Sequence, residues 1–273
     1  MTTGPEDLQG AELLGDLLTL RELTPDRWVA ETLAPARLNG LYGGQVAAQA
    51  LVAAARTVAP ERLPHSLHGY FLRRGDAREP VTFDVERDRD GHSYSARTVV
   101  ARQEGRVIFR LAASFTRAED GPDRQAVTMP DARAPEDSAP LPSILPGVEI
   151  RDPDPRADRA HPMRTWVRAP GAAGGGTGTL HAAAVLVYVS DLFTGLAHLM
   201  GTRVRSMASL DHAAWFHRPV RMDDWVLMDH VGSSVAGGRG WYTSTLFDRA
   251  GAALASCAQE MVIREARGPV DGG

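Results

Sequence analysis

Hydrophobic and polar positions follow the same order in the two halves of the chain. In the first half, residues 45–58 are rich in Ala, Val, Leu and Gln, a composition that favours a helix. From His65 onward apolar residues alternate with polar ones, and this period of two predicts strands. Four such runs have their apolar positions at Leu67, Tyr70 and Leu72; at Val81, Phe83 and Val85; at Tyr94, Ala96, Thr98 and Val100; and at Val107, Phe109, Leu111 and Ala113. The pattern predicts one helix followed by an antiparallel meander.

The second half repeats this order. Its pattern of apolar and polar residues predicts a strand at 164–168, a glycine-containing loop at 171–178 and an apolar helix at 180–200. Four strand-like runs then follow, at 207–216, 225–231, 240–247 and 252–263. Matches at an offset of roughly 145 positions support a duplication. They pair Phe71 with Phe216, Arg73 with Arg218, Asp84 with Asp229, Gly105 with Gly251 and, two positions out of step, Ser66-Leu67 with Ser209-Leu210.

The remaining segments carry weaker patterns. The first ten residues have too little apolar content to bury and are predicted to be a loose tail. Leucines with helical spacing between Leu13 and Leu20 predict a short helix, and residues 27–33 alternate as a strand does. The stretch between the halves loses its periodicity and gains proline and aspartate. It is therefore predicted to be a linker.

These elements together predict the fold. A helix that is apolar nearly all round must be enclosed by other elements, and two copies leave strand edges that can pair into one sheet. We predict an α+β fold of the double hot-dog type, with two tandem repeats that each have a central helix wrapped by an antiparallel sheet. The predicted boundaries are a tail and short helix at 1–22, a first domain at 23–117, a linker at 118–160, a second domain at 161–266 and a tail at 267–273.

Charge and composition narrow the function classes. A formal charge of -4 gives no electrostatic reason to expect nucleic acid. The sequence has neither the pattern of a secretory signal nor a run near the ~20 apolar residues that span a bilayer. We therefore expect a cytoplasmic protein without membrane insertion. Cys257 is the single cysteine, so an intrachain disulfide is excluded, and the residue is expected to be a small buried hydrophobe.

Several short motifs share one resemblance. In the first half they are Leu41-Tyr42-Gly43-Gly44-Gln45-Val46, His65-Ser66-Leu67-His68, Tyr70-Phe71-Leu72-Arg73 and Ser95-Ala96-Arg97. In the second half they are Ser190-Asp191-Leu192, Leu210-Asp211-His212, Trp215-Phe216-His217-Arg218-Pro219 and Gln259-Glu260. Over residues 40–116 and 164–264 the chain resembles the TesB-like acyl-CoA thioesterase II family.

The resemblance implies a hydrolase of acyl-CoA thioesters. In that family an Asp on the second helix, a Thr or Ser on the following strand and a Gln on the last strand hold the attacking water. These places are occupied here by Asp191, Ser209 and Gln259. Ser209 stands where the best-known bacterial members have Thr, and it keeps the hydroxyl. No cofactor is expected.

The three residues are chemically suited to this role. Asp191 lies in the apolar stretch 185–199, where an ionised carboxylate without partners is costly to bury. As a general base it can take a proton from water, with hydrogen bonds from Ser209 and Gln259 fixing the geometry. The residues alone leave simpler explanations open: an Asp at a frayed helix turn, a strand serine bonded to backbone and a buried amide. The chain has no Gly-x-Ser-x-Gly motif of a serine nucleophile.

Four further residues are candidates for substrate binding. Gly43 and Gly44 precede a helix, so their N–H groups can receive an oxyanion or a phosphate, although a simple turn at the start of a helix explains them equally well. Arg73 and Arg218 can bind CoA phosphates or lie solvated at strand ends. No metal is expected, because the candidate ligands form no convincing set of three or four and are predicted to be structural: His65, His68, His212 and His217.

Two other functions stay open from the sequence. An enoyl-CoA hydratase of hot-dog fold needs an Asp and a His close together, and Asp211 and His212 cannot both face one site if they are neighbours on a strand. The other alternative is a non-catalytic acyl-CoA-binding protein, against which the three occupied polar positions argue. Acyl-CoA is the expected partner. By analogy with other hot-dog proteins we expect a homodimer or homotetramer.

Overall fold

The computed structural model of the chain describes residues 14–31, 40–155, 163–171, 178–196, 198–200 and 204–265. Its long helices are α1 (Gly43–Ala55) and α2 (Gly178–Ser190). The strands are β1 (Arg21–Thr24), β2 (Arg27–Ala30), β3 (Arg62–Phe71), β4 (Val81–Asp90), β5 (Tyr94–Gln103), β6 (Arg106–Arg117), β7 (Ala139–Leu141), β8 (Glu149–Asp152), β9 (Arg164–Arg168), β10 (Val204–Ser209), β11 (Asp211–Phe216), β12 (Val226–Ala236), β13 (Arg239–Phe247) and β14 (Ala253–Glu265). Residues 14–17 form a helical turn, and Pro135–Asp137 form a 3-10 helix.

All fourteen strands belong to one antiparallel sheet. Their order is β1-β2-β4-β5-β6-β3-β11-β14-β13-β12-β9-β8-β7, and β10 pairs with β14 beside β11. The order is symmetric about the junction of β3 and β11, where Ser66 lies opposite Trp215 and Tyr70 lies opposite Asp211. The offset of the sequence repeat relates Ser66 to Asp211 and Tyr70 to Trp215, so it converts one of these two pairs into the other. The junction therefore aligns Ser66 with Asp211, and the sequence match of Ser66 to Ser209 is out of register.

The two helices are buried and pack against each other. Every residue of α1 from Gly44 to Ala55 is buried, and α1 packs against β3, β4, β5 and β6. In α2 the residues from Ala184 to Val189 have no exposed surface; α2 packs along α1 and contacts β3. The prediction of two buried apolar helices is confirmed. No helix among the described residues is long and apolar enough to cross a membrane.

The predicted extent of the second helix is wrong. The helix ends at Ser190, and the described residues from Asp191 to Met200 form turns. Part of this segment still packs against the core: Leu196 has no exposed surface and lies against Tyr242 and Ile263, whereas Leu199 is exposed. A turn that contains apolar residues and an apolar helix have the same composition, so hydrophobicity alone could not separate them.

The predicted linker also holds regular structure. β7 and β8 lie within it, and they extend the sheet beyond β9. Their three or four residues are too few to show a period in the sequence, and β1 was missed for the same reason. The predicted strand at 164–168 is confirmed as β9. The predicted N-terminal tail, residues 172–177 of the loop predicted at 171–178, and the C-terminal tail lie outside the described residues, and Gly178 is already the first residue of α2.

The start of α1 lies against the end of α2. Tyr42, the residue before α1, donates a hydrogen bond from its hydroxyl to the carbonyl oxygen of Tyr188, at 2.9 Å. A Cβ atom at Gly44 would be 2.5 Å from the same carbonyl oxygen and 2.8 Å from the ring of Tyr42. Because backbone cannot move aside as a side chain can, Gly44 is required for this approach of the two helices.

Replacing Gly44 by alanine is expected to force these helix ends apart. We expect Gly44→Ala to lower the free energy of unfolding by about 1–3 kcal/mol, the usual range for overpacking a tight core. Gly121→Ala is the matched control, since a Cβ there meets nothing within 4 Å; its change should stay within about 0.5 kcal/mol. Chemical denaturation of both variants measures the difference, and equal stabilities would contradict the close approach.

Candidate active site

Asp191 is the first residue after α2, and its carboxylate lies at the start of α1. A Cβ atom placed on Gly43 would be 2.6 Å from Asp191 Oδ2. Because the first N–H groups of a helix have no partner within the helix, the start of α1 is a region of partial positive charge. The end of the second helix thus brings a carboxylate to the positive end of the first. The simpler explanation of Asp191 as a residue at the helix end is correct for its position, but its side chain is only partly exposed and its carboxylate is hydrogen-bonded.

Ser209 and Gln259 meet this carboxylate. Ser209 Oγ donates a hydrogen bond to Asp191 Oδ1 at 3.1 Å, and Gln259 Nε2 donates one to the same oxygen at 2.7 Å. Gln259 Nε2 also donates to Ser209 Oγ, at 2.6 Å. The structure therefore brings together all three residues that the sequence singled out. Their side chains form a closed triangle in which Oδ1 is engaged and Oδ2 faces Gly43.

An irregularity in the strand containing Ser209 makes the triangle possible. The pairing with β14 shifts by one residue between β10 and β11, at Leu210. Regular alternation would put Ser209 and His212 on opposite faces of the sheet, but here both side chains contact Gln259. Asp211 faces the other way, where it bonds His68. The sequence argument that Asp211 and His212 cannot share a face is confirmed.

The network continues inward from Gln259. Gln259 Oε1 lies 2.5 Å from His212 Nδ1, and His212 Nε2 lies 2.8 Å from Ser190 Oγ. The exposed fractions of these side chains are 2%, 1% and 1%. Sequence reasoning took His212 for a structural histidine and gave Ser190 no role. The only sequence signal was their place beside motif residues, in Ser190-Asp191 and Asp211-His212.

The surroundings of Asp191 are apolar and aromatic. Tyr242 lies opposite Gln259 in the sheet and is almost fully buried. Burial, with the nearby Asp191 carboxylate adding to it, raises the pKa of Tyr242 well above its usual value. The phenol therefore stays neutral beside the carboxylate. This environment excludes bulk water from the inner side of the site.

A cavity of about 660 Å³ opens in front of the site. Ser209, one corner of the triangle, forms part of its wall, and so does Gly43, which lies beside Asp191 Oδ2. Its apolar wall includes Leu41, Val46, Phe71, Ile108, Phe109, Met207 and Val262. Arg73 and Arg74 lie on the same wall; Arg73 Nη1 donates to the carbonyl oxygen of Val107 at 2.8 Å. The cavity combines an apolar interior with two guanidinium groups.

Arg218 is not on this wall. It lines a separate cavity of about 490 Å³, near the start of α2, and its guanidinium pairs with the carboxylate of Asp123. The structure therefore brings Gly43 and Arg73 to the site of Asp191 and leaves Arg218 in the equivalent place of the other half. Gly44 lies one residue into α1, where its backbone faces Tyr188.

Besides His212, the three histidines that the sequence offered as metal-ligand candidates each have a hydrogen-bond partner of their own. These pairs are His65 Nε2 with Ser114 Oγ at 2.8 Å, His68 Nε2 with Asp211 Oδ2 at 3.0 Å, and His217 Nε2 with Ser256 Oγ at 2.9 Å. His65 and His68 lie on β3 and His217 follows β11, and each of the three bonds a different partner. Their arrangement is typical of structural histidines.

Cys257 lies on the inner face of β14, two residues from Gln259. Its exposed fraction is 3%, and burial raises the pKa of its thiol to about 12. The reactive thiolate is favoured only as the pH approaches this pKa, so at pH 8 about one thiol in ten thousand is ionised. This agrees with the expected small buried hydrophobe.

The folded protein should therefore resist a thiol reagent such as dithionitrobenzoate at pH 8. Unfolding in guanidinium chloride exposes Cys257 and restores an ordinary thiol pKa, so one thiol per chain should then react within minutes. Absorbance of the released thionitrobenzoate measures both states. Rapid labelling of the folded protein would show that the inner face of β14 is open to solvent.

Solved structures of other proteins share this architecture. The acyl-CoA thioesterase II TesB2 from Mycobacterium marinum is 35% identical, with a TM-score of 0.78 over 93% of this chain and 98% of that one. A protein from Alicyclobacillus acidocaldarius described as having a hot dog fold is 19% identical, with a TM-score of 0.77 over 93% and 98% of the two chains. The second likeness shows the hot-dog fold alone.

Sequence comparison extends the likeness to a whole family. A model of the acyl-CoA thioesterase N-terminal domain matches residues 33–116, and a model of the C-terminal domain matches residues 119–263. The human protein acyl-coenzyme A thioesterase 8 is 37% identical over 257 residues, which cover 82% of this chain and 80% of that protein. The chain belongs to the TesB-like acyl-CoA thioesterase II family, a family of thioester hydrolases.

Proposed function

We propose that this protein hydrolyses acyl-CoA to a free acid and CoA, with a water molecule activated by Asp191. The observation that carries the proposal is the triangle at Asp191, in which Oδ1 accepts hydrogen bonds from Ser209 and Gln259 while Oδ2 stays on the side of Gly43. A carboxylate with one oxygen held and the other beside Gly43, which lines the cavity, is arranged to take a proton from water. The finer fold proposed with it is a double hot-dog with each helix wrapped by its own sheet.

The reaction follows from the positions of these groups. Water between Asp191 Oδ2 and the thioester carbonyl carbon attacks that carbon, and its proton passes to Oδ2. The carbonyl oxygen becomes an oxyanion and the carbon becomes tetrahedral. The carbon–sulfur bond then breaks, the thiolate of CoA leaves, and the proton on Asp191 returns to the sulfur. Asp191 ends the cycle ionised, as it began.

The start of α1 is suited to the oxyanion. Gly43 is in contact with Asp191 Oδ2 and lines the cavity, so its N–H group lies near the place where the thioester carbonyl must sit. Charge that develops at the first N–H groups of a helix is stabilised by those dipoles. The same glycine leaves no side chain between the carboxylate and the substrate. This supports the oxyanion role over a simple turn.

The cavity supports an acyl-CoA substrate. Its apolar wall suits an acyl chain, and Arg73 and Arg74 are placed to meet phosphate groups of CoA. Arg218 has no such place, because it is paired with Asp123 beside the other cavity. We therefore assign CoA binding to Arg73 and its neighbour.

Substitution of the triangle tests the mechanism. Asp191→Asn keeps the shape and removes the base, so kcat should fall by at least about a thousandfold, within the range for loss of an essential acid or base. Ser209→Ala and Gln259→Ala each remove a positioning group, and each should lower kcat by about ten- to a thousandfold. CoA release is measured with each variant, and thermal unfolding checks that the fold is kept. Unchanged turnover in Asp191→Asn would remove Asp191 from the mechanism.

The products separate the proposal from its alternatives. A thioesterase releases free CoA from saturated and unsaturated acyl-CoA alike, whereas a hydratase consumes the conjugated double bond of enoyl-CoA and leaves the thioester intact. The structure supports the first, because Gln259 stands between Asp191 and His212 and the imidazole is buried away from the cavity. We expect CoA release without an earlier loss of enoyl absorbance. Binding without either change would favour a non-catalytic binding protein.

A further inference from the structure

We propose that His212 and Ser190 are positioning residues that fix which end of the Gln259 amide faces Asp191. The proposal rests on the proposed role of the triangle at Asp191. It assigns a function to a buried pair that the hydrolysis, as described above, does not use. The pair acts through Gln259 and does not touch the substrate.

The orientation of the Gln259 amide decides whether the triangle holds. One end of the amide carries two N–H donors and the other carries only an acceptor oxygen. In the observed orientation the two donors serve Asp191 Oδ1 and Ser209 Oγ. A half-turn of the amide would place its oxygen against the carboxylate, and two acceptors at that distance repel each other. Asp191 and Ser209 themselves favour the observed orientation, but both contact only the nitrogen end of the amide.

His212 secures the other end. Its Nδ1 lies 2.5 Å from Gln259 Oε1, so the ring must carry a proton on Nδ1 to bond the oxygen. A reversed amide would present N–H groups to that N–H group. The reversed amide is therefore unfavourable at both ends. Two donors would face each other at His212, and two acceptors would face each other at Asp191.

Ser190 keeps the proton on the correct nitrogen of His212. Its hydroxyl lies 2.8 Å from His212 Nε2 and 3.0 Å from the carbonyl oxygen of Val187. With a neutral ring the hydroxyl donates to Nε2, which leaves the proton on Nδ1. With a charged ring the hydroxyl accepts from Nε2 and donates to Val187. Both arrangements preserve the Nδ1 donor toward Gln259.

Burial makes this chain of contacts stiff. Gln259, His212 and Ser190 are each at most 2% exposed, so water is not at hand to replace a lost partner. Ser190 is also the last residue of α2, directly before Asp191. One pair of residues thus fixes both the strand that carries the amide and the helix end that carries the carboxylate.

A double-mutant cycle tests the proposal in the full-length protein. His212→Leu removes the donor with a side chain of similar bulk, and kcat should fall about ten- to a hundredfold with KM within about threefold, as expected for misplacing a reacting group. In the Gln259→Ala background the same change should alter kcat by less than about threefold, because the amide that His212 orients is gone. Independent, multiplying losses in the two variants would overturn the proposal.

His230→Leu is the matched control. His230 is also buried, at 2% exposure, and its Nδ1 lies 2.7 Å from a serine hydroxyl, that of Ser244. No described hydrogen bond joins it to the triangle. We expect its kcat to stay within about threefold of the unmodified protein, even if both histidine variants lose similar thermal stability. An equal fall in kcat for His230→Leu and His212→Leu would show a general effect of losing a buried histidine.

Two milder variants distinguish orientation from packing. His212→Asn keeps an N–H donor near the place of Nδ1, so it should recover most of the kcat that His212→Leu loses. Ser190→Ala leaves the triangle intact and should lower kcat by about three- to tenfold, an effect that also disappears in the Gln259→Ala background. If His212→Leu does not fold, the Ser190→Ala cycle carries the test.

The outcomes distinguish a failure of the positioning role from a failure of the proposed hydrolysis at Asp191. If Gln259→Ala itself keeps full kcat, the proposed triangle fails and the positioning role fails with it. If Gln259→Ala loses activity while His212→Leu and Ser190→Ala keep theirs, only the positioning role is wrong.

Discussion

The site depends on one contact, the meeting of the Asp191 carboxylate with the positive end of α1. Asp191 follows α2 directly, and the ends of the two helices can approach so closely only because Gly43 and Gly44 have no side chains in the way. This contact places a carboxylate, a helix dipole and an open cavity at one point. It also joins the two halves of the chain, since each half supplies one of the two helices.

The two halves of the sheet have equivalent positions, but only the second half carries the polar residues of the triangle there. In the sheet registers, Pro64 takes the position of Ser209, and Ala113 takes the position of Gln259. Neither residue can hold a carboxylate or a water molecule. The cavity at the start of α2 therefore lacks the acid–amide pair, and Arg218 there is paired with Asp123. Symmetry of the backbone has been kept while the side chains diverged.

The polar network is held by sheet geometry as much as by hydrogen bonds. The shift at Leu210 lets Ser209 and His212 approach Gln259 from the same side of the sheet, which a regular strand forbids. Leu210 is secured by its backbone, which donates to Glu260 and accepts from Phe71. A similar shift lies between Pro64 and Ser66 in the other half, so the irregularity is common to both halves of the repeat.

The sequence by itself determined the repeated order of helix and strands, the burial of both helices and the identity of the three residues at the site. Those features come from local composition, from a period of two or from motif resemblance, and each of these can be read from neighbouring residues in the sequence. Only the tertiary structure decided that α2 ends at Ser190, that β7 and β8 extend the sheet, and that His212 belongs to the network of Gln259. Each of these depends on partners far away in sequence. A one-residue shift at Leu210 reverses the face of every following side chain, and it is set by how β10 and β11 pair with β14, which lies about fifty residues later in the chain.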